Sequence, residues 1–181
     1  MWNTLEGLTI AVQGLGKVGY DLCRLLHNSG AKLIVANRSN KEMADRAAEE
    51  FGATIVPTET IYAQECDIFS PNAMGAILNP TTIPQLKCKA VAGGANNQIL
   101  DDASGLALKA RGIYYAPDFV INGGGVINAA AEVDGPYNKD AVLAKVDNIY
   151  NTIEHILSES KTTGEPEGVI ATRYAESLIY K

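Results

Sequence analysis

A short apolar run at residues 8–13 (Leu-Thr-Ile-Ala-Val-Gln) passes directly into Gly14-Leu15-Gly16-Lys17-Val18-Gly19, and a helical stripe begins at once. The run reads as a buried strand of a parallel sheet. From Lys17 onward Val18, Leu22, Leu25 and Leu26 recur at i, i+4, i+7 and i+8, and Gly30 after Asn28 and Ser29 supplies a left-handed stop. In that setting each glycine has a geometric task. Gly14 turns the chain tightly, Gly16 clears the backbone for a pyrophosphate, and Gly19 lets helix and strand pack closely. Unbonded amides at the helix start then meet the phosphates. A plain strand-to-helix turn also uses glycine; the strand before and the helix after favour a dinucleotide.

The pattern continues as alternating strands and helices. Residues 32–36 (Lys-Leu-Ile-Val-Ala) form a second buried strand, and Ser39 with Glu42 makes a capping box for a helix reaching about Phe51. Shorter apolar runs at 53–56, 67–69, 89–92 and 112–115 are separated by segments of helical or loop character. Such spacing predicts an α/β fold, a Rossmann-like doubly wound parallel sheet covered on both faces. The last third predicts additional C-terminal helices. A small-residue helix at 126–133 ends at Gly135-Pro136, and a long helix at 139–161 carries a stripe of Val142, Val146, Ile149, Ile153, Ile156 and Leu157, read as core packing. A final helix covers 168–180.

Composition excludes several classes. At 181 residues one domain is expected over 1–181, and 46% apolar with 20% charged residues fits an ordinary folded protein rather than a disordered one. A net charge of −6 argues against nucleic acid and anionic membranes as partners. Cys23, Cys66 and Cys88 lack paired metal-ligand spacing, so neither a disulfide framework nor a metal is expected. Cys66 reads as a small buried hydrophobe, and His27 and His155 as polar helix positions. No membrane span or signal peptide is legible, so a cytoplasmic location is expected.

The residue meeting the adenosine ribose should follow the second strand. An acid there hydrogen-bonds a free 2′-hydroxyl and repels a 2′-phosphate. Here Asn37 is neutral, and Arg38 with Ser39 can pair with a phosphate, so the reading leans toward NADP or use of both cofactors. Asn37 alone can still hold a ribose hydroxyl.

Joined to Cys66-Asp67-Ile68-Phe69-Ser70-Pro71, Ala92-Gly93-Gly94-Ala95-Asn96-Asn97-Gln98 and the block from Pro117 to Asn128, the glycine loop resembles the cofactor domain of the glutamate/leucine/phenylalanine/valine dehydrogenases, nearest to the leucine-specific branch. The resemblance runs from about Leu5 to Ser177. It implies reversible oxidative deamination of a small L-amino acid to a 2-oxo acid and ammonia with NAD(P). It also implies that Gly14, Leu15, Gly16, Lys17 and Val18 hold the pyrophosphate, that Asn37 stands where the leucine-specific branch has an aspartate, and that Ser70, Pro71 and Asn72 line the nicotinamide side. Gly93, Gly94, Asn96 and Asn97 resemble the next such loop, and Asn122 the asparagine at the nicotinamide and substrate end. Plainer roles exist: Asn96 and Asn97 as turn formers, and Gly123 to Gly125 as packing glycines.

Two departures from that branch are Thr172 where an acid is usual and a second glycine at Gly124. A substrate wall of Val126, Ala129 and Ala130 is small and apolar, which favours an uncharged substrate side chain. The family's catalytic lysines and acid belong to a domain preceding the cofactor unit and match no position here. The chain alone is therefore expected to bind cofactor without turnover, and the full-length protein is expected to be a homo-oligomer. The alternatives are a stand-alone, non-catalytic dinucleotide-binding or sensing module, and a shikimate-type dehydrogenase sharing Asn37-Arg38-Ser39; the latter leaves the block from Asn122 to Asn128 unexplained.

Overall fold

The computed structural model describes residues 4–38, 40–133 and 135–180. Six strands, β1 (Thr9–Gln13), β2 (Lys32–Ala36), β3 (Thr54–Ile55), β4 (Ile68–Pro71), β5 (Ala90–Val91) and β6 (Tyr114–Tyr115), lie in the order β3-β2-β1-β4-β5-β6, with every pairing parallel. The order reverses beside β1, which is where open α/β sheets bind ligands. Register brings the strand ends level there, since Gln13 lies opposite Ala36 on one side and Pro71 on the other. The doubly wound sheet expected from the alternating pattern is therefore present.

Side chains alternate across the sheet as the two-residue strand period requires. Ile10, Val12, Leu33 and Val35 pack on one face against Cys23 and Leu26 of α1 (Lys17–Asn28) and Ala44, Ala47 and Phe51 of α2 (Lys41–Phe51). Ala11, Phe69 and Val91 point to the other face. There Ile61 and Ile83 come from two short 3₁₀ turns, Ile61–Ala63 and Ile83–Gln85, Leu86 from the residue just after the second, and Leu108 from α3 (Asp102–Ala110). Two connections that the alternation left as helix or loop are thus irregular segments, one with Pro84 at the start of its turn. They still plug the sheet with fully buried side chains.

The start of α2 differs from expectation. Asn40, not Ser39, is the N-cap: its Oδ1 accepts the Met43 amide at 3.2 Å. Asn and Ser cap about equally well, and the extended backbone of Asn40 (φ −145°) moves the helix start one residue on, so Glu42 falls too early to close the box. Ser39 itself lies outside the described residues.

After β6 come α4 (Asp118–Ile121), α5 (Gly124–Val133), α6 (Lys139–Thr163) and α7 (Glu167–Ile179). The stripe expected on α6 is only partly enclosed: Val142 and Ile156 are buried, while Val146, Ile149, Ile153 and Leu157 are half-buried. One polar knot ties this layer to the sheet. Lys109 of α3 donates from Nζ to the Ser160 hydroxyl at 2.6 Å and to its carbonyl at 3.1 Å, and pairs with the buried Glu167 carboxylate at 3.4 Å. The Ser160 hydroxyl in turn donates to the Glu165 carbonyl at 2.6 Å.

A buried charge that loses its partner keeps its desolvation penalty. Lys109→Met is therefore expected to lower stability by about 3 kcal/mol, near the low end because Lys109 is partly solvated. Urea denaturation measures this, and adding Glu167→Met to the same chain should recover most of the loss.

Candidate dinucleotide site

The glycine loop begins where β1 stops. Gly14 takes φ +92°, and its N–H donates to the Ala36 carbonyl at 2.8 Å, pinning the turn to the end of β2. Its two companions meet opposite surroundings. A Cβ on Gly19 would lie 2.0 Å from the Gly14 carbonyl oxygen, whereas one on Gly16 would have nothing within 4 Å. Gly19 is therefore required by packing, and Gly16 borders open space. Gly16 is also the N-cap of α1, with no side-chain cap and no acid in the first turn. The first-turn amides lack intrahelical partners by helix geometry and carry the positive end of the helix dipole. A pyrophosphate fits such a place, since a carboxylate that would compete for those amides is missing from the first turn.

A cleft of about 690 Å³ opens beside this loop, with Gly14, Gly16, Asn37 and Arg38 among its lining. Asn37 is committed on both sides: its Oδ1 accepts the Leu15 amide at 3.3 Å, and its Nδ2 donates to the Asn40 carbonyl at 2.8 Å. It acts as a strut between the glycine loop and the chain after β2. Leu15 contributes only this amide, because its side chain is buried in the core. Lys17 is exposed at the helix start.

Gln13, Tyr62 and Glu59 also line the cleft, and no local pattern in the sequence marks them. Gln13 donates from Nε2 to the Tyr62 hydroxyl at 2.6 Å, and its Oε1 is buried without a partner among the described residues. Glu59, on the loop after β3, has its carboxyl held below the ordinary range by its own backbone amide, by the Thr58 hydroxyl and by the charge of Arg38. All three come from carboxyl ends of strands or the loops just beyond, so the strand-end rule pointed to the place though not to the residues.

Asn72 stands at the junction with a second, largely apolar groove of about 490 Å³, and lines both. Its Nδ2 donates to the Ser70 carbonyl and hydroxyl, each at 3.0 Å, and its Oδ1 accepts the Gly94 amide at 2.9 Å. Asn122 donates from Nδ2 to Asn96 Oδ1 at 2.6 Å, with Gly94 O at 3.5 Å. Ser70, Asn72, Gly93, Gly94 and Asn122 thus meet in one groove, together with Val18. Pro71 is buried beneath, and its carbonyl would lie 2.2 Å from a Cβ on Gly93. The fully buried Gln98 braces the same loop, donating from Nε2 to the carbonyls of Gly93 (2.7 Å) and Ala95 (2.8 Å).

Other expected residues lie elsewhere. Asn97, at φ +52°, lines a separate cleft of about 550 Å³, where its amide donates to Asp118 Oδ2 and Asp118 Oδ1 accepts the Tyr115 hydroxyl at 2.8 Å. Its carbonyl reaches back to the Ala76 amide at 2.7 Å, joining the loops after β4 and β5. Val126, Ala129 and Ala130 are exposed on α5, and Gly124 and Gly125 line the groove instead. Burial pushes the Cys66 thiol up to about 12 and Cys88 up to about 11, so neither offers a thiolate. His27 is exposed on α1 near the Phe51 ring, and His155 lies on α6 with Glu159 Oε2 at 3.5 Å.

Comparison with known proteins gives concordant findings. Residues 33–173 match the sequence profile of the family described as glutamate/leucine/phenylalanine/valine dehydrogenase. The chain is 52% identical over 177 residues to a leucine dehydrogenase of Thermoactinomyces intermedius, covering 98% of this chain and 48% of that protein. It is 42% identical over 179 residues to a phenylalanine dehydrogenase of Bacillus thermotolerans, covering 97% and 47%. The crystal structure of an L-tryptophan dehydrogenase from Nostoc punctiforme superposes with a TM-score of 0.94 at 40% identity, covering 99% of this chain and 53% of that one. The chain spans about half the length of the curated relatives it matches.

Proposed function

The chain belongs to the glutamate/leucine/phenylalanine/valine dehydrogenase family, and on that footing we propose that it forms the NAD(P)-holding domain of an L-amino acid dehydrogenase. The observation that carries this reading is the opening above Gly16, at an acid-free helix start, between a cleft and an asparagine-lined groove. Gly16, Lys17 and Val18 hold the pyrophosphate, chiefly through first-turn main-chain amides, while Gly14 and Leu15, whose amides are bonded to Ala36 and Asn37, shape the loop around it. Asn37 and Arg38 face the adenosine ribose. Ser70, Pro71, Asn72, Gly93, Gly94, Asn96, Asn97 and Asn122 shape the nicotinamide end, directly or by fixing the loops there. Bound in this way, the dinucleotide supplies a hydride acceptor for oxidation at the α-carbon, and hydrolysis of the imine gives a 2-oxo acid and ammonia.

An apolar or aromatic substrate is favoured. The relatives are named for leucine, phenylalanine and tryptophan, and the groove is largely apolar, lined on the α5 side by Gly124 and Gly125 rather than by the exposed Val126, Ala129 and Ala130. Hydride transfer needs substrate and nicotinamide held together in one cleft, and this chain spans about half the length of its relatives, so the reading expects this chain by itself to bind without turnover. Self-association of the full-length protein is part of the proposal, with Leu178, Ile179 and Tyr180 forming an exposed apolar patch at the end of α7.

Cofactor choice leans toward NADP. Asn37 brings no charge to repel a 2′-phosphate, its amide is already engaged, and Arg38 lines the same cleft. Calorimetric titration of the chain with NADH and NADPH tests this. NADPH is expected to bind at least as tightly as NADH; NADH binding tenfold tighter would reject the lean, and binding of neither would reject the domain assignment.

A further inference from the structure

We infer that Glu59 is a residue that sets cofactor preference, by competing with a 2′-phosphate for the Arg38 guanidinium. The inference rests on the reading that this cleft takes the adenosine half of a dinucleotide. Among the described residues lining the cleft, Arg38 is the one base and Glu59 the one acid. They arrive from neighbouring strands. Arg38 follows β2, and Glu59 follows β3, the edge strand paired in parallel with β2, so both stand on the carboxyl side of the sheet beside Asn37.

Their settings make the pair a discriminator. Thr58 donates its hydroxyl to Glu59 Oε1 at 3.0 Å, which steadies the carboxylate. The Glu59 carboxyl is held below its ordinary range first by its own backbone amide, then by the Thr58 hydroxyl, and to a smaller extent by the charge of Arg38. Asn37, at the position where dinucleotide folds often carry an acid, has its amide committed to Leu15 and Asn40 and brings no charge. The negative charge usually supplied at the end of β2 is thus supplied one strand further out. A free 2′-hydroxyl meets Glu59 as an acceptor and leaves the Arg38 interaction intact. A 2′-phosphate must draw Arg38 away and accept the nearby like charge, a cost that Coulomb attraction to the guanidinium has to exceed. Glu59 therefore pulls against the NADP lean set by Asn37 and Arg38, and the balance between them fixes the ratio.

The test is calorimetric titration of the chain and of its Glu59→Gln and Glu59→Lys variants with NADPH and NADH at one fixed, low salt concentration. An exposed unit charge a few ångströms from another is worth about a fivefold change in affinity. Glu59→Gln is expected to raise the NADPH-to-NADH affinity ratio by about that factor, and Glu59→Lys to raise it further. A ratio within twofold of the parent in both variants overturns the role of Glu59. The parent ratio separately tests the NADP lean: a strong NADH preference that Glu59→Gln abolishes would reject the lean and uphold this inference. Binding of neither nucleotide overturns both.

Discussion

Replacing Gly19 with alanine is expected to destabilise the chain by about 2 kcal/mol or more, and the sign is what makes the result informative. Gly19 is the third residue of α1. Helix propensity alone predicts a gain of about 1 kcal/mol for Gly→Ala at a helical position. The contact predicts the reverse, because the added Cβ would sit 2.0 Å from the Gly14 carbonyl oxygen and 3.3 Å from Asn72 Cβ. Neither neighbour can step aside cheaply. The Gly14 oxygen belongs to a turn whose amide is bonded to Ala36, and Asn72 is held by Ser70 and Gly94. Relief must come from moving the start of α1 off the sheet, at the overpacking cost of about 1–3 kcal/mol or more. Against a total stability of about 5–15 kcal/mol this is a large share. The midpoint of urea unfolding should fall accordingly; a midpoint equal to or above that of the parent would contradict the packing role.

How much of this was legible in the sequence follows the range of the forces involved. The β1-α1-β2 unit was readable almost residue by residue, since its strand run, glycine spacing and helical stripe are local patterns. The parallel sheet followed from their repetition. What depended on contacts distant in sequence was not readable. Asn37 was identified as a ribose-facing residue, yet its role as a strut between Leu15 and Asn40 depends on two loops meeting. Glu59 lies in a stretch with no periodic signal, and only the pairing of β3 with β2 brings it beside Arg38. No local pattern around Gln98 assigns it a task, and its bracing of Gly93 and Ala95 appears only once that loop is folded. The shift of the α2 cap from Ser39 to Asn40 reflects a choice between two adjacent residues of similar capping strength, which sequence patterns do not resolve.

The second large effect is expected at Gly16, and it should separate binding from folding. A side chain at Gly16 meets nothing within 4 Å, and the backbone there, φ −71° and ψ −172°, is open to any residue. Valine at this N-cap should cost the fold no more than about 1 kcal/mol, the difference between a glycine cap and an apolar one. Its methyl groups, however, would occupy the space through which a pyrophosphate reaches the first-turn amides. Without that approach the phosphates lose their charge-assisted backbone bonds, and affinity should fall by at least about a hundredfold. Calorimetric titration of the Gly16→Val chain with NADH and NADPH decides whether the glycine loop holds a dinucleotide. The variant should unfold within about 1 kcal/mol of the parent and bind neither nucleotide measurably; a variant that folds and binds either one with parental affinity rules that site out.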